Sequence, residues 1–110
     1  MLVTVDNKGI MRSNMISAAT YEIEDLQFAI STILAKDYEV YLSLYSIANK
    51  LYDVVRLTPL RVYDTNHTLF SLIPAQKLRV GNNERVIMKL VFLNRIKDQQ
   101  VVSNSAECKL

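Results

Sequence analysis

The sequence predicts an α+β fold, with an N-terminal β-hairpin, an αα-hairpin, and then antiparallel β-strands packed on the helices. Three observations carry that expectation. A turn tetrapeptide, Asp6-Asn7-Lys8-Gly9, separates two short β-prone segments; apolar residues recur at helical spacing from about residue 20 to 55; and beyond Pro59 the spacing changes to strand alternation.

The first hairpin pairs Leu2-Val3-Thr4-Val5 with Ile10-Met11-Arg12-Ser13. Its tetrapeptide suits a type I turn closed by Gly9 in the left-handed conformation, the G1-bulge geometry. Residues 14–19 read as a connector. Thr20 is placed to cap a helix whose first turn carries Glu22, Glu24 and Asp25, acidic side chains favourable at the positive end of the helix dipole. Ile23, Leu26, Ile30, Ile33 and Leu34 fall on one face of that helix, and Phe28 falls on the opposite face. Asp37 starts a second helix, running to about Val55. Its apolar stripe is Val40, Leu44, Ile47, Ala48, Leu51, Val54 and Val55, and its polar side is Glu39, Ser43, Ser46, Asn49, Lys50 and Asp53. The Lys36-Asp37 link is short enough to make the two helices antiparallel. A helix-turn-helix starting at Ser46 is excluded, because Tyr52 stands where its turn glycine belongs and Pro59 interrupts the recognition helix.

Leu60 to Tyr63 and Thr68 to Ile73 flank Asp64-Thr65-Asn66-His67 as a second hairpin. Leu78 to Val80 and Arg85 to Leu93 flank Gly81 to Glu84. Val86, Met88, Leu90 and Phe92 alternate as in a strand, although a helix from Asn83 would also group Val86, Leu90, Leu93 and Ile96. Burial of one face specifies register, so pairing Val80 with Val86 is favoured. That register gathers Lys77, Arg79, Arg85 and Lys89 on the exposed side of the sheet. Residues 1–97 are expected to form one domain, and residues 98–110 a flexible polar tail.

Composition narrows the function. Half of the 110 residues are apolar, which requires a folded core. The longest uninterrupted apolar run, Leu90 to Leu93, is far below the roughly 20 residues of a membrane span, and the N-terminal residues lack a secretory pattern. The single cysteine, Cys108, fits a reducing compartment, so a cytoplasmic location without membrane attachment is expected. Net charge is +2 but unevenly spread. Residues 1–55 carry four basic against seven acidic side chains, and residues 56–97 carry eight against two. That asymmetry suits an acidic partner, nucleic acid or self-association, or simply solvated strand faces.

Reaction chemistry is poorly supplied. His67 is the lone histidine and sits in a turn; no Cys/His cluster suggests a metal, and two glycines make no phosphate-cradling loop. No nucleophile elbow is present. Catalysis, cofactors and metals are therefore not expected. The expected function is a non-enzymatic interaction or regulatory protein that binds a protein partner or itself, as a homo-oligomer, through an aromatic helix face. Tyr38, Tyr41, Tyr45 and Tyr52, which flank the stripe of the second helix, and Phe28 are its candidate contacts. The alternative is nucleic-acid binding through Arg61, Lys77, Arg79, Arg85, Lys89 and Arg95, phosphate-reading cations on the C-terminal strands.

Overall fold

A computed structural model describes residues 2–12, 26–71 and 85–109. Its elements are β1 (Leu2–Val5), β2 (Met11–Arg12), β3 (Gln27–Ser31), α1 (Thr32–Asp37), β4 (Glu39–Ser46), β5 (Leu51–Arg56), β6 (Thr58–Asp64), β7 (His67–Ser71), β8 (Arg85–Asn94), β9 (Gln99–Val102) and β10 (Ala106–Lys109). They build two sheets. The first runs β2-β1-β3-β7-β6, with β1 and β3 parallel and the other neighbours antiparallel. The second runs β5-β4-β8, and β9 and β10 lie end to end along the far edge of β8.

The helix-packed α+β expectation is wrong: the fold is mostly β, and the αα-hairpin does not exist. In place of the first helix stand β3 and a six-residue helix, α1; Thr20 to Asp25 lie outside the described residues. In place of the second helix stands the antiparallel hairpin β4–β5. The residues that fitted the helices worst explain the error. Phe28 lay opposite the first stripe, and Leu42 belonged to neither side of the second. In strands both join an inward-facing row, Phe28 with Ile30 and Leu42 with Val40 and Leu44, and all are buried.

The strand expectations over the described C-terminal part agree with the structure. β6 and β7 form the second hairpin around Asp64 to His67. β8 is a strand through Asn94, with Val86, Met88, Leu90 and Phe92 buried at alternating positions. Leu78 to Glu84, and hence the Val80–Val86 register, lie outside the described residues. The polar segment from Asp98, expected as a flexible tail, carries β9 and β10 over residues 99–102 and 106–109.

Turn chemistry sets the strand ends. At the first hairpin the Gly9 N–H donates to Asp6 O and the Asp6 N–H to Ile10 O, with Gly9 at φ +83°. The β4–β5 turn repeats this pattern. There the Asn49 N–H donates to Ser46 O and the Ser46 N–H to Lys50 O, with Asn49 at φ +67°. Asparagine tolerates the left-handed conformation well enough to replace glycine. Each turn's first side chain also accepts from the backbone, Asp6 Oδ1 from Lys8 and Ile10 and Ser46 Oγ from Lys50.

The core fills the space between the sheets. Val3, Val5, Phe28, Ile30 and Phe70 enter from the first, and Val40, Leu42, Leu44, Met88, Leu90 and Phe92 from the second. Leu57, where the chain passes from β5 to β6, is buried between them, and its N–H donates to Val40 O. At the opposite edge Ser103 and Asn104 join the sheets. Ser103 exchanges two hydrogen bonds with the Leu90 backbone, one through its N–H and one through Oγ. The next residue, Asn104, reaches the other sheet. Its Oδ1 accepts from the Met11 N–H at 2.8 Å, and its Nδ2 donates to Met11 O at 3.1 Å.

Candidate interaction surface

Because Val40, Leu42 and Leu44 face the core, Glu39, Tyr41, Ser43 and Tyr45 point out of the second sheet. Strand register places their neighbours. Tyr41 lies between Arg56 and Val91, Ser43 between Val54 and Lys89, and Tyr45 between Leu51 and Ile87. Val102 continues the Tyr41–Val91 row, and Glu107 the Tyr45–Ile87 row. A sheet face turned to water is ordinarily polar. Here Tyr41, Tyr45, Val54, Ile87, Val91 and Val102 surround Ser43 and Lys89. From a strand spacing of about 4.8 Å and a rise of about 3.3 Å per residue, this apolar field covers on the order of 400 Å² in projection. That is within the range of the largest apolar patch on an ordinary monomer, a patch that is often functional.

Charge is held at two ends of the face. At one, Glu39 accepts from Arg95 Nε at 2.8 Å and from the Tyr41 hydroxyl at 3.0 Å, and pairs with Arg56 at 3.6 Å. Arg95 Nη2 also donates to the Tyr41 hydroxyl, closing the network. The Arg95 hydrogen bond, followed by that from Tyr41, holds the Glu39 carboxyl below its ordinary value of 4.5. At the other end Arg85 Nη2 donates to Glu107 Oε2 at 3.0 Å. Between them the Lys89 ammonium lies 5.2 Å from the Tyr45 ring centroid, a cation–π contact.

The structure divides the aromatic candidates. Tyr41 and Tyr45 share the outward face. Phe28 is fully buried in the core and has no surface to offer a partner. Tyr38 packs against the core beside α1, with its hydroxyl directed to Gln99 Oε1 at 3.4 Å. Tyr52 sits where the β4–β5 register slips and also packs on the core. The helical row dissolves because strand geometry sends neighbouring residues to opposite sides.

The basic candidates do not form one strip. Arg61 lies on β6 of the first sheet, while Arg85 and Lys89 lie on β8 of the second. Arg85 and Arg95 are each paired with a carboxylate. Lys77 and Arg79 lie outside the described residues. Sequence reasoning set Arg85 and Lys89 on the exposed side of β8 but overlooked Ile87, Val91 and Leu93, which alternate with them and face the same way. That alternation was the available signal.

Two other places bring polar groups together. A cleft of about 440 Å³ opens beside α1, floored by Val40, Leu57 and Phe70 and rimmed by Lys36, Arg56 and Arg95. Glu39 already engages both arginines of its rim. His67 Nδ1, at the start of β7, lies 2.8 Å from Asp64 Oδ1, outside the lining of that cleft, and among the described residues that is its one carboxylate partner. Among the described residues no group of His, Cys, Asp and Glu is arranged to hold a metal ion, and no helix is long and apolar enough to cross a membrane. Comparison with known proteins finds no matching family model, no matching curated protein and no matching solved structure.

Proposed function

We propose that this chain is a non-enzymatic protein-docking domain whose working part is the outward face of the second sheet. The observation that carries the reading is the apolar share of the outward positions. Tyr41 and Tyr45 on β4 and Ile87, Val91 and Leu93 on β8 stand among Glu39, Ser43, Arg85 and Lys89 on the side that does not meet the core. Tyrosines at the centre of such a face supply wide contact area at small cost in side-chain entropy. The nucleic-acid alternative finds less support, because the arginines bordering the face are already paired with Glu39 and Glu107.

The test compares the wild type with Val54→Lys and Ile87→Lys in pull-downs from native lysate, with and without nuclease. Both substitutions lie on the sheet surface and should leave the urea midpoint nearly unchanged. The expected outcome is a set of proteins retained by the wild type, resistant to nuclease, and lost from both variants. Equal retention by the variants, or loss on nuclease treatment, overturns the proposal.

A further inference from the structure

We infer that the partner of this face is an acidic protein segment, and that it places an Asp or Glu carboxylate, ringed by apolar side chains, on Lys89. The inference rests on the docking function proposed above and adds the chemistry of what docks.

Among the described residues Lys89 is the one cation inside the apolar field. Its flanking positions are Ile87 and Val91 along β8 and Ser43 across on β4, with Val54 beyond. Among the described residues no carboxylate pairs with its ammonium, whose contact is the Tyr45 ring. Covering the face removes water from a half-buried charge. Desolvation is costly unless a counter-charge and a hydrogen bond replace the water. A purely apolar partner would leave that cost uncompensated, and a carboxylate compensates it.

The same geometry disfavours a second copy as the occupant. A two-fold contact centred on Ser43 and Lys89 brings the two ammonium groups together, so the face is not self-complementary. The rim reinforces the preference. Among the described residues of this face, Arg56, Arg85, Arg95 and Lys89 outnumber Glu39 and Glu107 by two, so a positive excess is left after the ion pairs form. An acidic segment is therefore attracted at a distance as well as matched on contact. A polyphosphate chain meets the charge requirement but not the surroundings. Its backbone needs a continuous cationic track, whereas Lys89 is enclosed by valine, isoleucine and tyrosine.

The experiment uses the full chain and a phage-displayed library of random dodecapeptides, panned in parallel on the wild type, Lys89→Met, Lys89→Glu and Val54→Lys. The inference expects wild-type selection of peptides with one or two acidic residues among apolar ones. Lys89→Glu should reverse the selected charge to Lys or Arg. A synthetic selected peptide should bind Lys89→Met about tenfold or more weakly than the wild type, as should its Asp→Asn form on the wild type. Selected peptides that need Val54 but show no acidic preference overturn this inference and leave the docking face standing. Enrichment indifferent to Val54→Lys, or none, overturns both. Two further outcomes also overturn it: dimerisation in light scattering that Val54→Lys abolishes, and low-salt binding of a fluorescent oligothymidylate that Lys89→Met abolishes. Urea midpoints of all four proteins confirm that each is folded.

Discussion

Replacing Asn104 by alanine tests how the two sheets are held together at the β2 edge. Val5 and Met11 are opposite residues of the β1–β2 pair, and the neighbouring Asp6–Ile10 pair carries the inter-strand hydrogen bond. In an antiparallel ladder hydrogen-bonded and non-hydrogen-bonded pairs alternate. The Met11 N–H and C=O therefore point away from β1, and Asn104 satisfies both, at 2.8 and 3.1 Å. Met11 is only 4% exposed. A buried polar group left without a partner costs about 1–3 kcal/mol. Asn104 itself lies at the surface, where water can replace part of what it supplies, so the low end applies to each bond. The expected loss is about 2 kcal/mol, or about 8 °C in Tm for a domain of this size. Urea unfolding followed by circular dichroism measures the first, and faster amide exchange at Met11 localises it. Asn104→Asp separates the two bonds, because a carboxylate keeps the acceptor for the Met11 N–H but opposes Met11 O. Its deficit against the wild type should narrow as pH falls and the carboxyl gains a proton to donate. A loss below about 0.5 kcal/mol for Asn104→Ala would refute the clamp.

Gly9→Ala should cost about 1–2 kcal/mol from its left-handed backbone alone. The added Cβ would also stand 3.1 Å from Val101 Cγ1, so thermal melting should show more than the backbone cost. At the equivalent turn position Asn49→Gly should stay within about 0.5 kcal/mol of the wild type, with Asn49→Ala losing about 1 kcal/mol. Asp6 and Glu39 both titrate below their ordinary values of 3.8 and 4.5, Asp6 chiefly through the Ile10 N–H and Glu39 chiefly through Arg95. A depressed folded value means the unfolded chain takes up the proton first. Their stabilisation is thus complete above those ordinary values and lost as pH falls through the lower folded ones. Asp6→Asn and Glu39→Gln should each flatten the acid limb of a stability–pH curve, and an unchanged slope would refute the assignment. Phe28→Ala should cost about 3–5 kcal/mol as a core truncation. Tyr45→Ala, on the open face, should cost about 1 kcal/mol in urea titration.

Features that neighbouring residues decide are legible along the chain. Asp6-Asn7-Lys8-Gly9 specifies its turn because the left-handed residue, the acceptor side chain and the flanking strands lie within a few positions. The alternation of Val86 to Phe92 specifies β8, since a strand buried on one face repeats every two residues. The segment from Gln27 to Arg56 was not decidable in this way. Val40, Leu44, Leu51 and Val55 fit a helical stripe, while Val40, Leu42 and Leu44 fit an alternating row, and a local window weighs both alike. Only tertiary structure chooses between them. β4 takes its hydrogen bonds from β8, with Glu39 opposite Leu93 and Ser46 opposite Val86, and no stretch of sequence shows that pairing. The interaction face depends on the same choice. Tyr41 and Tyr45 meet Ile87, Lys89 and Val91 because two distant strands lie side by side, and Glu39 neutralises Arg95 for the same reason. Side-chain identity was written along the chain, but which apolar residues remain uncovered depends on what packs beneath them.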